Sequence, residues 1–152
     1  KVIASIADVF YIGGTKCGTL FGEAVVTRHP EWFGHIVSHI KAHGALMAKG
    51  RLLGIQFATL FENDLYLRIG RNGVDTAMAL KQGMLERGFE LFMDSATNQQ
   101  FFVLPNELID RLLPEVSFEL WGPRCASHTP VRFVTDWATT QTDIENFFKL
   151  LD

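Results

Sequence analysis

The apolar positions of this chain predict strands at its beginning and helices through its middle. Two apolar runs, residues 2–12 and 22–26, are typical of strands and are separated by a glycine-rich turn. Apolar residues then recur with the period of a helix; Pro30 suits a first helical turn, and Gly88 suits the position just past a last one. The helices predicted in this way span residues 31–40, 46–61 and 65–85.

Beyond Gly88 the period of the apolar positions shortens, and this change predicts a sheet. The predicted strands span residues 89–92, 100–104, 116–120 and 131–135. A short helix is predicted over residues 106–113, and a last helix carries an apolar stripe after a capping box formed by Thr142 and Glu145. The second half of the chain is therefore predicted to be a small α+β domain in which helices cover a sheet.

Composition narrows the class of protein without indicating a function. Of the 152 residues, 47% are hydrophobic and 20% charged, which is typical of a globular protein. The net charge of −3 gives no indication of a surface that binds nucleic acid or an anionic membrane. The sequence has no run of about 18 apolar residues that would predict a membrane span. Two cysteines make no disulfide framework, and no signal-peptide pattern opens the printed sequence, so we expect a cytoplasmic protein.

The turn between the first two apolar runs holds the strongest candidate for chemistry. Its sequence is Gly13-Gly14-Thr15-Lys16-Cys17-Gly18, in which glycines flank a lysine on both sides. Glycine lets the backbone approach a ligand closely, and a desolvated lysine can attack a carbonyl as a free amine. The pattern fits a Schiff-base lysine. It fits equally an ordinary exposed lysine in a glycine turn, without a chemical role. A phosphate-binding loop of nucleotide hydrolases is excluded because the spacing and the residue after Lys16 do not match it.

Three histidines at four-residue spacing raise the separate question of a metal site. His35, His39 and His43 would share one helix face. Zinc proteases place a glutamate base between two such histidines, and none is present here. We therefore predict surface or interface histidines and no metal site.

Arg132 lies in the middle of a predicted strand, among apolar neighbours. A charge in such a place is costly unless it has a partner. A guanidinium can donate two parallel hydrogen bonds to a carboxylate, which suits it to binding an amino-acid substrate. From the residue alone, an arginine on the solvent face of an edge strand is the preferred interpretation.

Four segments of the chain resemble the threonine aldolases, in the same order and at similar spacing. They are DVFYIGGTKCGTLFGEAVV, IKAHGALMAKGRLLGIQF, SATNQQFFVLPN and RFVTDWATT. The threonine aldolases belong to the β-eliminating lyase group of pyridoxal phosphate enzymes, which have the aspartate-aminotransferase-like fold. The resemblance runs from end to end of the chain.

The resemblance implies an α/β fold, namely the C-terminal part of a fold type I enzyme that depends on pyridoxal 5'-phosphate. Residues 1–62 would end the large cofactor domain and include the linking helices, and residues 63–152 would form the small α+β domain. The family places most of its cofactor site upstream of the lysine, so we expect a missing N-terminal large-domain segment. A homodimer or homotetramer is expected as well.

The resemblance also assigns roles to individual residues. Lys16 would hold pyridoxal 5'-phosphate as a Schiff base, and Thr15 and Gly14 would shape the turn around it. Arg132 would anchor the α-carboxylate of an amino-acid substrate. The upstream segment would supply the remaining contacts of the cofactor.

Two further lysines are candidates for cofactor binding. Lys41 and Lys49 fall where the family tends to place basic groups near the cofactor phosphate of a neighbouring subunit. Lysines on a solvated helix face are an equally good interpretation of the same positions.

The activity implied by the resemblance is cleavage of threonine or allo-threonine to glycine and acetaldehyde. It is expected of the full-length enzyme, and the chain alone is expected to be inactive. Two alternatives stay open. One is a β-eliminating amino-acid lyase of the tryptophanase type, and the other is a non-catalytic small domain that only associates with a partner chain.

Overall fold

The computed structural model describes residues 2–151 and divides the chain into two compact units. The first unit is Lys1–Tyr66 and the second is Leu67–Asp152. None of the helices among residues 2–151 combines the length and the apolar character that crossing a membrane requires.

The first unit contains an antiparallel pair of strands and three α-helices. Its elements are α1 (Val2–Ile6), β1 (Val9–Gly13), β2 (Glu23–Thr27), a 3-10 turn (Pro30–Phe33), α2 (Ile36–Ala42), α3 (Arg51–Phe61) and a second 3-10 turn (Glu62–Asp64). The two strands pair with each other, with Tyr11 opposite Val25. Phe57 and Leu60 of α3 are buried, whereas the strands are only partly covered.

Three expectations for this unit are wrong in detail. Val2–Ile6 is a helix and not the start of a strand. The prediction failed because a short apolar run without alternation has no period that distinguishes a helix from a strand. The helix predicted over residues 31–40 is a 3-10 turn over Pro30–Phe33 followed by α2, which begins only at Ile36. The second helix begins only at Arg51, since Gly44 takes a φ of +67° and the chain between it and Arg51 is not helical.

The second unit begins in the helix that was predicted over residues 65–85, and it continues into a four-stranded sheet. Its elements are α4 (Leu65–Glu86), β3 (Glu90–Met93), β4 (Gln99–Pro105), α5 (Asn106–Leu112), β5 (Glu119–Leu120), β6 (His128–Val134) and α6 (Gln141–Lys149). The spatial order is β3-β4-β6-β5, and every neighbouring pair is antiparallel. This unit thus combines helices with an antiparallel sheet, and β5 is shorter than the predicted 116–120.

One face of this sheet is covered by helices and carries the hydrophobic core of the unit. The core cluster consists of Leu80, Met84, Phe102, Leu104, Ile109, Leu112, Val131, Phe133, Ile144 and Phe147, contributed by α4, α5, α6 and the two central strands. Because side chains alternate along a strand, the residues between these core positions point to the opposite face. That opposite face, which bears Gln99, Phe101, Glu119 and Arg132, is called the Arg132 face below.

The capping box of the last helix lies two residues earlier than predicted. Thr140 is the N-cap of α6, its side chain accepts from the Asp143 backbone N–H, and the Asp143 carboxylate accepts from the Thr140 N–H. Thr142 and Glu145 lie inside the helix instead. The sequence offers both pairs at the same spacing, and the shorter aspartate at N3 completes the box as well as a glutamate does.

Candidate functional site

The lysine turn is closed by backbone hydrogen bonds that return to Gly14. The N–H of Cys17 donates to the Gly14 carbonyl at 2.8 Å, and the N–H of Thr19 donates to the same oxygen at 3.1 Å. Gly18 takes a φ of +91°, in the left-handed region that favours glycine. These contacts place Lys16 at the exposed tip of the turn.

Helix α3 holds the segment that follows the lysine. The Leu20 N–H donates to Gln56 Oε1 at 2.7 Å, and Gln56 Nε2 donates in turn to the Leu52 carbonyl at 3.1 Å. Gly22, with a φ of +97°, lies so close to α3 that an added Cβ would stand 2.1 Å from Leu53 Cδ2. The position of the lysine turn is therefore set by a helix that follows it by some 30 residues.

Tyr66 contacts the other side of the same turn. Its hydroxyl donates to the Gly13 carbonyl at 3.1 Å, and its ring packs edge-on against Phe61 with centroids 5.8 Å apart. Burial, followed by a hydrogen bond with the Cys17 thiol, raises the pKa of Tyr66 above its usual value. Sequence analysis missed this residue, because 53 positions separate it from Gly13 and no local pattern connects them.

The two adjacent glycines of the turn allow a matched test of its packing. A Cβ at Gly14 would lie 2.4 Å from Thr19 Oγ1 and 2.8 Å from Phe57 Cζ, whereas a Cβ at Gly13 would meet nothing within 4 Å. We expect Gly14→Ala to lower the free energy of unfolding by about 1–3 kcal/mol through overpacking. Gly13→Ala should change it by less than about 0.5 kcal/mol. Denaturant titration of both variants measures the difference, and equal effects would contradict the packing described here.

The amine of Lys16 and the hydroxyl of Thr15 are chemically suited to the aldehyde end of pyridoxal phosphate. Lys16 is exposed, and no hydrogen bond or ion pair to its amine is present among residues 2–151. Thr15, beside it, exposes a hydroxyl that can donate to an anionic group. Beneath the turn, Thr19 Oγ1 is buried without a hydrogen-bond partner in the described part of the chain. Lys16 would hold the carbonyl carbon, and Thr15 is the neighbouring donor.

Lys41 and Lys49 are both exposed, Lys41 on α2 and Lys49 in the turn before α3. None of the contacts described for residues 2–151 brings either lysine to Lys16. Their predicted role at the phosphate of a neighbouring subunit stays a prediction. Within the same residues, no group of three or more histidine, cysteine, aspartate or glutamate side chains is arranged to hold a metal ion.

Arg132 lies on β6, which is an interior strand between β4 and β5. The interpretation of this residue as part of an edge strand is therefore wrong. Its Nη1 donates to Gln99 Oε1 at 3.1 Å, and its Nη2 donates to the carboxylate of Glu119, which lies directly opposite it on β5. The guanidinium also stands 4.8 Å from the centroid of the Trp121 ring. The charge predicted to need a partner has one, and Glu119 was not foreseen.

The segment after Arg132 is fixed to α4 by side-chain hydrogen bonds. Thr135 Oγ1 donates to the Gly73 carbonyl at 2.6 Å, and Asn72 Nδ2 donates to the Thr139 carbonyl at 2.9 Å. Asn98 Nδ2 donates to the Thr135 carbonyl at 2.7 Å. The segment after β6 is thereby tied to Asn98, the residue before β4, and to the long helix α4.

Several solved structures are similar to this chain, including the following three. A threonine aldolase from Leishmania major is 37% identical over 98% of the chain, with a TM-score of 0.88, and the chain spans 44% of its length. The serine palmitoyltransferase of Sphingomonas wittichii is 16% identical over 98% of the chain and 40% of its own length, with a TM-score of 0.64. The 8-amino-7-oxononanoate synthase of Francisella tularensis is 15% identical over 94% of the chain and 44% of its own length, with a TM-score of 0.59. No family model and no curated protein matches the chain.

The fold shared with all three structures defines the class of protein. The chain has the fold of the C-terminal part of the pyridoxal-phosphate-dependent enzymes of fold type I, as predicted from its sequence. The two more distant structures support that fold alone. Within the class, the predicted resemblance to threonine aldolase is confirmed by the match to the Leishmania major enzyme.

Proposed function

We propose that this chain is the C-terminal part of a lyase that cleaves threonine or allo-threonine to glycine and acetaldehyde, with pyridoxal 5'-phosphate as cofactor. The observation that carries the proposal is the likeness to a threonine aldolase at 37% identity and a TM-score of 0.88. The exposed amine of Lys16, which has no partner among residues 2–151, supports it. A cytoplasmic location remains a prediction from the unpaired cysteines.

Lys16 is the residue that we assign to the cofactor. Its Nζ would hold the aldehyde carbon, and the hydrogen bonds to Gly14 keep the amine at the tip of the turn. As a free amine, Lys16 could also accept or donate a proton beside the reacting carbon. Pyridoxal phosphate, when bound, supplies the electron sink that allows a bond to the α-carbon to break.

Arg132 is the residue that we assign to the α-carboxylate of the substrate. The planar guanidinium of an arginine carries parallel N–H donors whose geometry matches a carboxylate. Fixing the carboxylate limits the rotation of the substrate about its α-carbon, so the bond to be cleaved can be held in one orientation. Lys16 lies in the first unit and Arg132 in the second.

The apolar surface of the first unit supports the proposal of a larger assembly. Several side chains in it are exposed although they are large and hydrophobic: Val2, Ile3, Ile6, Tyr11, Leu20 and Val25. An unusual number of exposed large apolar side chains on a folded unit is typical of an interaction surface. We propose that an N-terminal large-domain segment and a second copy of the chain, in a homodimer or homotetramer, cover it. Lys41 and Lys49 would then approach the cofactor phosphate of the neighbouring subunit.

Analysis of the products tests the proposed reaction. The full-length protein, loaded with pyridoxal phosphate and given threonine or allo-threonine, should release glycine and acetaldehyde in equal amounts. Ammonia with a keto acid would instead show β-elimination and contradict the aldol cleavage. No product from either substrate, in a protein that binds the cofactor, would favour the non-catalytic alternative.

A further inference from the structure

The guanidinium of Arg132 is already occupied within the chain. Gln99 accepts from Nη1 and the Glu119 carboxylate accepts from Nη2, so both terminal nitrogens have partners. The remaining nitrogen, Nε, is buried and has no partner among the described residues. One side of the planar group is covered by the ring of Trp121.

This arrangement leaves no free edge for a bidentate carboxylate. Such an acceptor needs two parallel N–H groups on one edge of the guanidinium. Each terminal nitrogen already donates to one of these two acceptors, and Nε is buried. A carboxylate from outside can therefore bind in this way only if one of the two partners leaves.

Glu119 is the partner that can leave at the smaller cost. Its side chain is 60% exposed, against 22% for that of Arg132, and it lies on a strand of two residues at the edge of the sheet. Gln99 lies half-buried on the longer, interior strand β4. An exposed ion pair contributes little to stability, and water can solvate a displaced glutamate. Glu119 also presents the same chemical group as the carboxylate of an amino acid.

We propose that Glu119 is a specificity-determining residue that occupies the carboxylate position on Arg132 until a substrate displaces it. The inference rests on the proposed role of Arg132 in binding the substrate carboxylate. Glu119 then competes with every incoming carboxylate, so it lowers the affinity for amino acids. A ligand without a carboxylate does not compete for Arg132, and Glu119 does not affect its binding.

The test compares binding of glycine and of glycinamide to the full-length protein loaded with pyridoxal phosphate, by titration calorimetry. Glu119→Gln keeps the size of the side chain and removes its charge, so its hydrogen bond to Arg132 is weaker. We expect the dissociation constant for glycine to fall about three- to fivefold, the size of effect that an exposed ion pair provides. The constant for glycinamide, which has no carboxylate, should not change. Glu119→Ala should act in the same direction as Glu119→Gln.

Asp110→Asn is the matched control, because Asp110 also forms an ion pair with an exposed arginine of the same unit. Its Oδ2 lies 2.7 Å from Arg124 Nη2. The Asp110→Asn substitution should leave both constants unchanged. Unchanged or weaker glycine binding in both Glu119 variants would overturn the proposal, as would equal tightening of glycinamide or an equal effect of Asp110→Asn. If Arg132→Ala weakens glycine binding while the Glu119 variants do nothing, the proposed function stands and this inference fails.

Discussion

Replacing Lys16 with alanine in the full-length protein should abolish cleavage of threonine and leave the fold intact. The amine is exposed and has no partner among residues 2–151, so its removal costs no packing and no hydrogen bond. It is nevertheless the only group that we assign to the carbonyl of the cofactor, and loss of a covalent catalyst lowers turnover by at least about 1,000-fold. Steady-state assay of glycine release, with thermal unfolding alongside, measures both expectations.

Lys149→Ala provides the control for this substitution. Lys149 lies at the end of α6, where its amine donates to Asn146 Oδ1, and it has no assigned role in the reaction. Its variant should keep full turnover. Turnover of Lys16→Ala within a few-fold of the unchanged protein would contradict the assignment of Lys16.

Replacing Arg132 with alanine should weaken the binding of threonine and of glycine alike. Both ligands have an α-carboxylate, and losing a bidentate contact to it should cost about 2–4 kcal/mol. That cost corresponds to a dissociation constant raised about 30- to 700-fold. Cofactor binding should survive, because no contact to the cofactor is assigned to Arg132. Titration of each amino acid into the loaded protein measures the effect.

Arg124→Ala is the matched control for that experiment. Arg124 is also an arginine of the second unit that pairs with a carboxylate, that of Asp110. Its removal should leave the binding of both amino acids unchanged. Equal affinities for Arg132→Ala and the unchanged protein would show that Arg132 serves only the sheet.

The sequence predicted most of the second unit because local pattern and tertiary packing agree there. The alternation around Val131 and Phe133 places both on the helix-covered face, and the same alternation puts Arg132 on the other. Gly88 ends the long helix with a φ of +81°, as a C-terminal glycine does. The opening residues were mispredicted because an apolar run as short as Val2–Ile6 is compatible with both a helix and a strand.

The partners of the two candidate residues could not be predicted from the sequence. Gln56 is separated from its partner Leu20 by 36 positions, and Tyr66 is separated from its partner Gly13 by 53. No local sequence pattern indicates contacts over such distances. Glu119 meets Arg132 because β5 pairs with β6 in one particular register, and a register shifted by one residue would put Glu119 on the other face. Lys16 and Arg132 were found by their chemical type and by the resemblance. The residues that contact them could be identified only from the folded structure.

The measurement that tests the central claim most directly is the location of the cofactor adduct. The full-length protein with bound pyridoxal phosphate should be treated with borohydride, digested, and mapped by mass spectrometry. The account predicts a single reduced pyridoxyl adduct, on Lys16. An adduct on Lys41, Lys49 or any other lysine, with Lys16 unmodified, would contradict it.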